Sequence, residues 1–136
     1  MLHKIRPALM VAAVLLALPA CDGRITAPSL ADVAGVYLLT DVSGRGPASG
    51  VVVLSPAGSA ERRVRYRLPN GDLSAEFVAS GTFQPRRDGT LDLTLHESLV
   101  SSFAWRPHAQ LDGRMLRLRH PDPADGPDIV ETYRRQ

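Results

Sequence analysis

Val64-Arg65-Tyr66-Arg67-Leu68-Pro69-Asn70-Gly71-Asp72-Leu73-Ser74-Ala75-Glu76-Phe77 is the stretch whose reading decides the fold. Asn-Gly tolerates the positive φ that a type I′ turn requires, so it is a strong hairpin signal between alternating apolar residues. With Asn70 and Gly71 as a two-residue loop, Leu68 opposes Leu73, Tyr66 opposes Ala75 and Val64 opposes Phe77. The intervening pairs are Arg67 with Ser74, Arg65 with Glu76 and Arg63 with Val78. One face is then apolar and the other mostly polar, with an Arg65–Glu76 ion pair. A slip of one residue would exchange the faces, so alternation and turn chemistry specify one register together.

The same test extends along the chain. Arg87-Asp88-Gly89 separates Ser80–Pro85 from Thr90–His96, in which Leu91, Leu93 and Leu95 alternate with polar residues. A three-residue loop with Gly89 left-handed sets Phe83 against Leu93 and Gly81 against Leu95, whereas a two-residue loop would take Phe83 off the leucine face. Asp112-Gly113, read as a two-residue loop, sets Ala109 against Leu116 and Pro107 against Leu118 and leaves Arg117 and Arg119 outside. Gly35–Asp41, Gly50–Ser55 and Asp128–Arg134 complete the set.

These segments predict an all-β fold: an antiparallel up-and-down meander of about eight strands closing into a barrel or half-barrel, with a two-sheet β-sandwich as the alternative. Before it, Ser29-Leu30-Ala31-Asp32 has the spacing of a helix start, a hydroxyl N-cap with an acid three places on.

The N-terminus has a different character. His3, Lys4 and Arg6 precede an apolar run from Pro7 to Leu18 with no acid among them. A basic start, a short apolar stretch and small residues describe a secretory signal. The run falls short of the roughly 20 apolar residues of a membrane-spanning helix. Leu18-Pro19-Ala20-Cys21 closes it and resembles the lipobox of bacterial lipoproteins, with Pro19 where Ala, Ser or Thr is more usual. The resemblance implies cleavage before Cys21, transfer of a diacylglycerol to its thiol, often with further acylation such as palmitate on the new amine, and a place in the bacterial cell envelope. Two or three acyl chains, at about 0.8 kcal/mol per buried CH₂, hold a protein at a membrane where one chain would not. The expected organisation is a signal peptide, with its helix, over 1–20, lipidated Cys21 with a flexible tether over 21–34, and a β domain over 35–136. The leaflet, inner or outer and facing the periplasm or the cell surface, stays open.

Processing also changes the charge. The chain is formally +2 with 16 basic and 14 acidic residues, and Lys4 and Arg6 leave with the signal. The remainder holds 14 arginines against 14 acids and no lysine, which gives no support for a nucleic-acid partner. It also excludes lysine nucleophile chemistry. Cys21 is the only cysteine, so the domain has no internal disulfide, thiolate metal site or cysteine nucleophile.

Leu30-Ala31-Asp32-Val33-Ala34-Gly35-Val36-Tyr37-Leu38-Leu39 resembles the first strand of small lipocalin-like and fatty-acid-binding-type barrels, in which a glycine and an aromatic follow a short helical turn. Ile129-Val130-Glu131-Thr132-Tyr133-Arg134 is similar to their last strand, where an arginine packs over that aromatic. The resemblance covers the two ends only and implies a barrel. On the registers above, Tyr37, Val64, Tyr66, Phe77, Phe83, Leu93, Trp105 and Leu116 line its interior together with Leu91, Leu95 and Leu118. An eight-stranded barrel either fills with such side chains or holds one small ligand, so a small apolar ligand and a filled core remain alternatives.

Other chemistry is poorly supported. His96, His108 and His120 are spaced by 12 residues, but His96 and His108 face outward and His120 begins a loop, so no metal site is expected. His96, Glu97 and Ser98 are successive residues of an extended segment and point to opposite faces. No Gly-x-Ser-x-Gly elbow is present. Arg62, Arg63, Arg65 and Arg67 form the densest charge run, with the last three on the outer, solvated face. Pro121–Asp128 is a stiff acidic loop, awkward for calcium. The expectation is a non-catalytic envelope lipoprotein without a cofactor, partnered by the membrane through its anchor and by a small apolar ligand or an envelope protein. Metabolic labelling with palmitate is expected to mark the chain, and Cys21→Ser to abolish the label. A labelled Cys21→Ser chain would overturn the anchor.

Overall fold

The computed structural model describes residues 26–43, 48–97, 104–122 and 125–136. The expected signal peptide over 1–20, Cys21 and residues 98–103 lie outside the described residues. The elements are α1 (Leu30–Val33), β1 (Gly35–Val42), β2 (Ser49–Leu54), β3 (Ser59–Arg65), β4 (Phe77–Pro85), β5 (Thr90–Glu97), β6 (Ala104–Trp105), β7 (His108–Asp112), β8 (Met115–His120) and β9 (Ile129–Arg135). Successive strands pair antiparallel from β1 to β6 and from β7 to β9, β9 returns to β1, and β5 pairs with β7, so eight strands close a barrel. The short β6 lies on the same edge of β5 as β7. Leu95↔Trp105 and Leu91↔Ala109 share one register, which makes β6 and β7 two pieces of one line interrupted at Arg106-Pro107. Pro107 has no N–H to give to a ladder, and prolines sit where pairing is broken.

The β4–β5 register is the one that alternation selects. Phe83 opposes Leu93 and Gly81 opposes Leu95, while Gly89 is left-handed at φ +83°. The Asn70-Gly71 hairpin differs. Val64↔Phe77 and Arg63↔Val78 form as expected, but nearer the tip the bridge is Arg67↔Leu73. The loop has three residues, Pro69-Asn70-Gly71, closed by the Leu68 N–H on the Asp72 carbonyl at 2.7 Å. Gly71 alone takes a positive φ, +90°. A type I′ turn needs that conformation at both central residues, and Asn70 instead uses its side-chain oxygen to accept from the Asp72 N–H at 3.1 Å. The pairs Leu68–Leu73, Tyr66–Ala75 and Arg67–Ser74 are therefore lost, and no Arg65–Glu76 ion pair forms among the described residues. Arg63 pairs with Glu61 instead, at 2.5 Å.

The Asp112-Gly113 hairpin turns one residue later than expected, which shifts its register by two. Asp112↔Met115 and Ala109↔Leu118 pair, so Gly113-Arg114 is the loop. Gly113 at φ +57° is the only one of the two with positive φ, the pattern of a type II′ turn with glycine first. A shift of two preserves the faces, and Arg117 and Arg119 are exposed.

The helix start at Ser29 forms a capping box. The Ser29 N–H donates to the Asp32 carboxylate at 2.9 Å, and the Asp32 N–H to the Ser29 hydroxyl at 3.2 Å. Its free carbonyls are satisfied from the barrel: Tyr37 OH donates to Val33 O at 2.6 Å, and the Arg135 guanidinium to Asp32 O and Ala34 O at 2.7 and 2.5 Å. Arg135, opposite Tyr37 on the β1–β9 ladder, thus holds the position expected of Arg134. With Val33 buried in the core, α1 plugs this end of the barrel, and the packed domain starts at the helix.

Behind the plug the interior is filled by Tyr37, Leu54, Phe83, Leu93, Leu116 and Tyr133. Closure is tight at Gly81, where an added Cβ would lie 1.9 Å from the Thr94 carbonyl oxygen. Gly81→Ala forces β4 and β5 apart and is expected to cost at least about 1–3 kcal/mol in urea unfolding. Ser80→Ala, on the exposed neighbour, is expected to stay within about 0.5 kcal/mol.

Candidate functional site: a buried ion-pair cluster beneath an open cavity

Inward alternation on β3 runs Ala60, Arg62, Val64, and on β9 it runs Ile129, Glu131, Tyr133. Each strand thus sends one charged side chain into the barrel. Arg62 is opposite Ala79 on β4, and that small neighbour leaves room for the guanidinium. Arg62 is 4% exposed and Glu131 0%. Burying an unpaired charge is prohibitive, and such groups persist only when paired and fully hydrogen-bonded.

Both conditions hold. Arg62 Nε donates to Glu131 Oε2 at 3.0 Å, and Nη2 donates to Oε1, so the guanidinium grips the carboxylate with two nitrogens. Tyr66 OH donates to Oε1 at 2.6 Å and Tyr133 OH to Oε2 at 2.7 Å. Arg62 Nη2 also reaches the Tyr66 hydroxyl oxygen at 2.6 Å. His120 Nε2 lies 3.3 Å from Oε1, while its Nδ1 faces the Pro121 carbonyl at 3.2 Å. Both ring nitrogens face acceptors, so a neutral imidazole satisfies one contact and a doubly protonated ring both. Among the described residues no buried side-chain nitrogen or oxygen lacks a partner.

The electrostatics follow from this geometry. Burial alone would raise the Glu131 pKa, but hydrogen bonds from His120 and Arg62, the Arg62 charge and the Tyr66 hydroxyl outweigh it and hold the carboxyl well below its usual range. Burial disfavours the Arg62 charge, and Glu131 more than restores it. Burial is also the main cause that raises Tyr66 and Tyr133 above ordinary phenols.

Above the cluster a cavity of about 390 Å³ opens at the end of the barrel away from α1. Arg62, Tyr66 and His120 form its floor and hide Glu131. Phe77, Trp105, Pro121 and Ile129 are its walls, and Glu97 stands at the rim. The Arg62 guanidinium carbon is 4.8 Å from the Trp105 ring centroid. The His120 ring meets Trp105 edge-on at 5.1 Å, and Tyr66 meets Phe77 at 5.7 Å.

Of the expected lining residues, Tyr66, Phe77 and Trp105 border this cavity. Tyr37, Phe83, Leu93 and Leu116, with Leu91, Leu95 and Leu118, belong to the packed core, and Val64 is buried. His96 and His108 are exposed, but His120 does not begin a loop: it ends β8 and is 8% exposed. Inward parity after Leu116 and Leu118 is the reason. Arg63, Arg65 and Arg67 are exposed as expected, and Arg62 is the inward member of the run. Among the described residues no group of three or more His, Cys, Asp and Glu side chains is placed to hold a metal ion.

The fold and site together define a small closed antiparallel barrel, plugged at one end and open at the other above a buried ion pair. No family model, curated protein or solved structure matches the chain.

Glu131→Gln and Arg62→Met each strand one buried partner and are expected to cost on the order of 3–5 kcal/mol, with the double apolar variant Arg62→Met/Glu131→Met costing less than their sum. Because the folded Glu131 pKa is depressed, its contribution is full above the ordinary value of 4.5 and is lost as pH falls from there toward the folded value. Urea unfolding between neutral and acid pH checks both points: wild type weakens in that acid window, and Glu131→Gln shows a shallower slope.

Proposed function

We propose that this protein is a non-catalytic, membrane-anchored lipoprotein of the bacterial cell envelope whose barrel holds a small, largely apolar ligand at its open end. The cavity of about 390 Å³ with Phe77, Trp105, Pro121 and Ile129 as walls is the observation that carries the ligand reading. Ligand pockets run from about 300 to 1,000 Å³, mostly apolar with a few fixed polar groups. The anchoring half rests on the sequence pattern that ends at Cys21.

In this reading α1 and the packed core supply rigidity, the Arg62–Glu131 cluster sets the depth of the site, and the aromatic side chains receive the ligand. Tyr66 is the hinge between the two parts, since it donates to Glu131 and borders the cavity. The second reading is a structural or protein-binding envelope component. It is favoured by an apolar strip on the outer wall, where Val36 and Leu38 are 43% and 42% exposed beside Val53 at 38%.

Native mass spectrometry of the chain purified from its own host separates the two. A retained small molecule that is lost from Trp105→Ala supports the ligand reading. A bare mass with a stoichiometric protein partner supports the second.

A further inference from the structure

We infer that the cavity takes an organic cation, an apolar body carrying an ammonium or similar head, in preference to a carboxylate of the same size. The inference rests on the ligand reading above and names the ligand's chemistry.

The floor has no strong site for an anion. Arg62 is its permanent cation, but Nε and Nη2 are both engaged with Glu131, and Nη2 also with the Tyr66 hydroxyl. Tyr66 and Tyr133 spend their hydroxyl protons on the same carboxylate. A ligand carboxylate that sought the forked contact of Nε and Nη2 would have to displace Glu131 and leave a buried charge stranded, which is strongly unfavourable. Only Nη1 is left to it, on a guanidinium whose charge Glu131 already balances. His120 already has acceptors at both nitrogens, Glu131 and Pro121 O. The anion position beside Arg62 is thus occupied by the protein itself.

The rim is the opposite. Glu97 continues the inward alternation of Leu91, Leu93 and Leu95 on β5 and borders the cavity. Among the described residues it forms no ion pair. Tyr66, Phe77 and Trp105 border the same space, and aromatic faces attract cations through their quadrupole, the usual way quaternary ammonium groups are held. A carboxylate without an ion pair among the described residues, set among aromatic walls above a floor whose own charges are mutually satisfied, favours a positive head and repels a negative one.

The test is a titration of the purified full chain with hexyltrimethylammonium, hexanoate and hexanol, read by fluorescence of Trp105, the only tryptophan. The ammonium is expected to bind about tenfold more tightly than hexanoate, with hexanol between them. Glu97→Gln is expected to remove most of that preference while leaving hexanol affinity unchanged. Hexanoate binding as tightly as the ammonium, or a preference that survives Glu97→Gln, overturns the inference and leaves the ligand reading standing. If none of the three perturbs Trp105, both readings fall.

Discussion

The Arg62–Glu131 pair is the constraint on which the rest of the barrel interior depends. Its two charges come from β3 and β9, which β2 and β1 separate in the wall, so the pair bridges the lumen rather than lying along it. Taking such groups out of water costs several kcal/mol per ion, and the attraction offsets this only with good geometry and further hydrogen bonds. Those further bonds draw in Tyr66, Tyr133 and His120. Trp105 then lies against Arg62 and His120. Side chains on β3, β6, β8 and β9, with Tyr66 just past the end of β3, are thus tied directly or through Arg62 and His120 to one carboxylate.

A polar layer at that height divides the barrel. Toward α1 the inward residues are aliphatic and aromatic and close on one another, the filled outcome for a barrel of this size. Toward the other end they cannot collapse in the same way. The floor groups are fixed by Glu131 and cannot rotate upward without leaving it unsatisfied, and a buried acceptor without its donors is costly. The cavity is therefore held open by the same hydrogen bonds that make the ion pair tolerable.

Much of this was legible in the sequence, and the exceptions have physical causes. The Gly89 hairpin was legible because leucine alternation and one left-handed glycine admit a single register. At Asn70-Gly71 the turn signal was strong, but a three-residue loop with an Asx contact competes with it, and alternation around Leu68 and Leu73 could not arbitrate because both are exposed. At Asp112-Gly113 a slip of two leaves both faces intact, so alternation is silent on it. The ion pair was harder still. Arg62 sits in a run of arginines that reads as a solvated face, although its parity with Val64 places it inside, and Glu131 sits between Ile129 and Tyr133 by the same parity. Opposite charges at inward positions on two strands were the available signal. Pairing across a lumen is set by closure of the barrel, which no local pattern records.

The two ends also differ in how their contents are decided. At the plugged end the connections are tight turns, and the capping box with Arg135 fixes what enters. At the open end longer segments join the strands, and Leu68, Leu73 and Phe77 remain 42–44% exposed, with Phe77 bordering the cavity. Binding residues concentrate on connections held by a rigid scaffold, and here the scaffold ends at the ion-pair floor. Depth and floor chemistry are therefore properties of the barrel, insensitive to changes in the rim. On the proposed ligand reading, selectivity among apolar bodies belongs to Phe77 and Trp105, and selectivity for charge belongs to Glu97, because among the described residues that border the cavity it is the charged side chain that the floor does not neutralise.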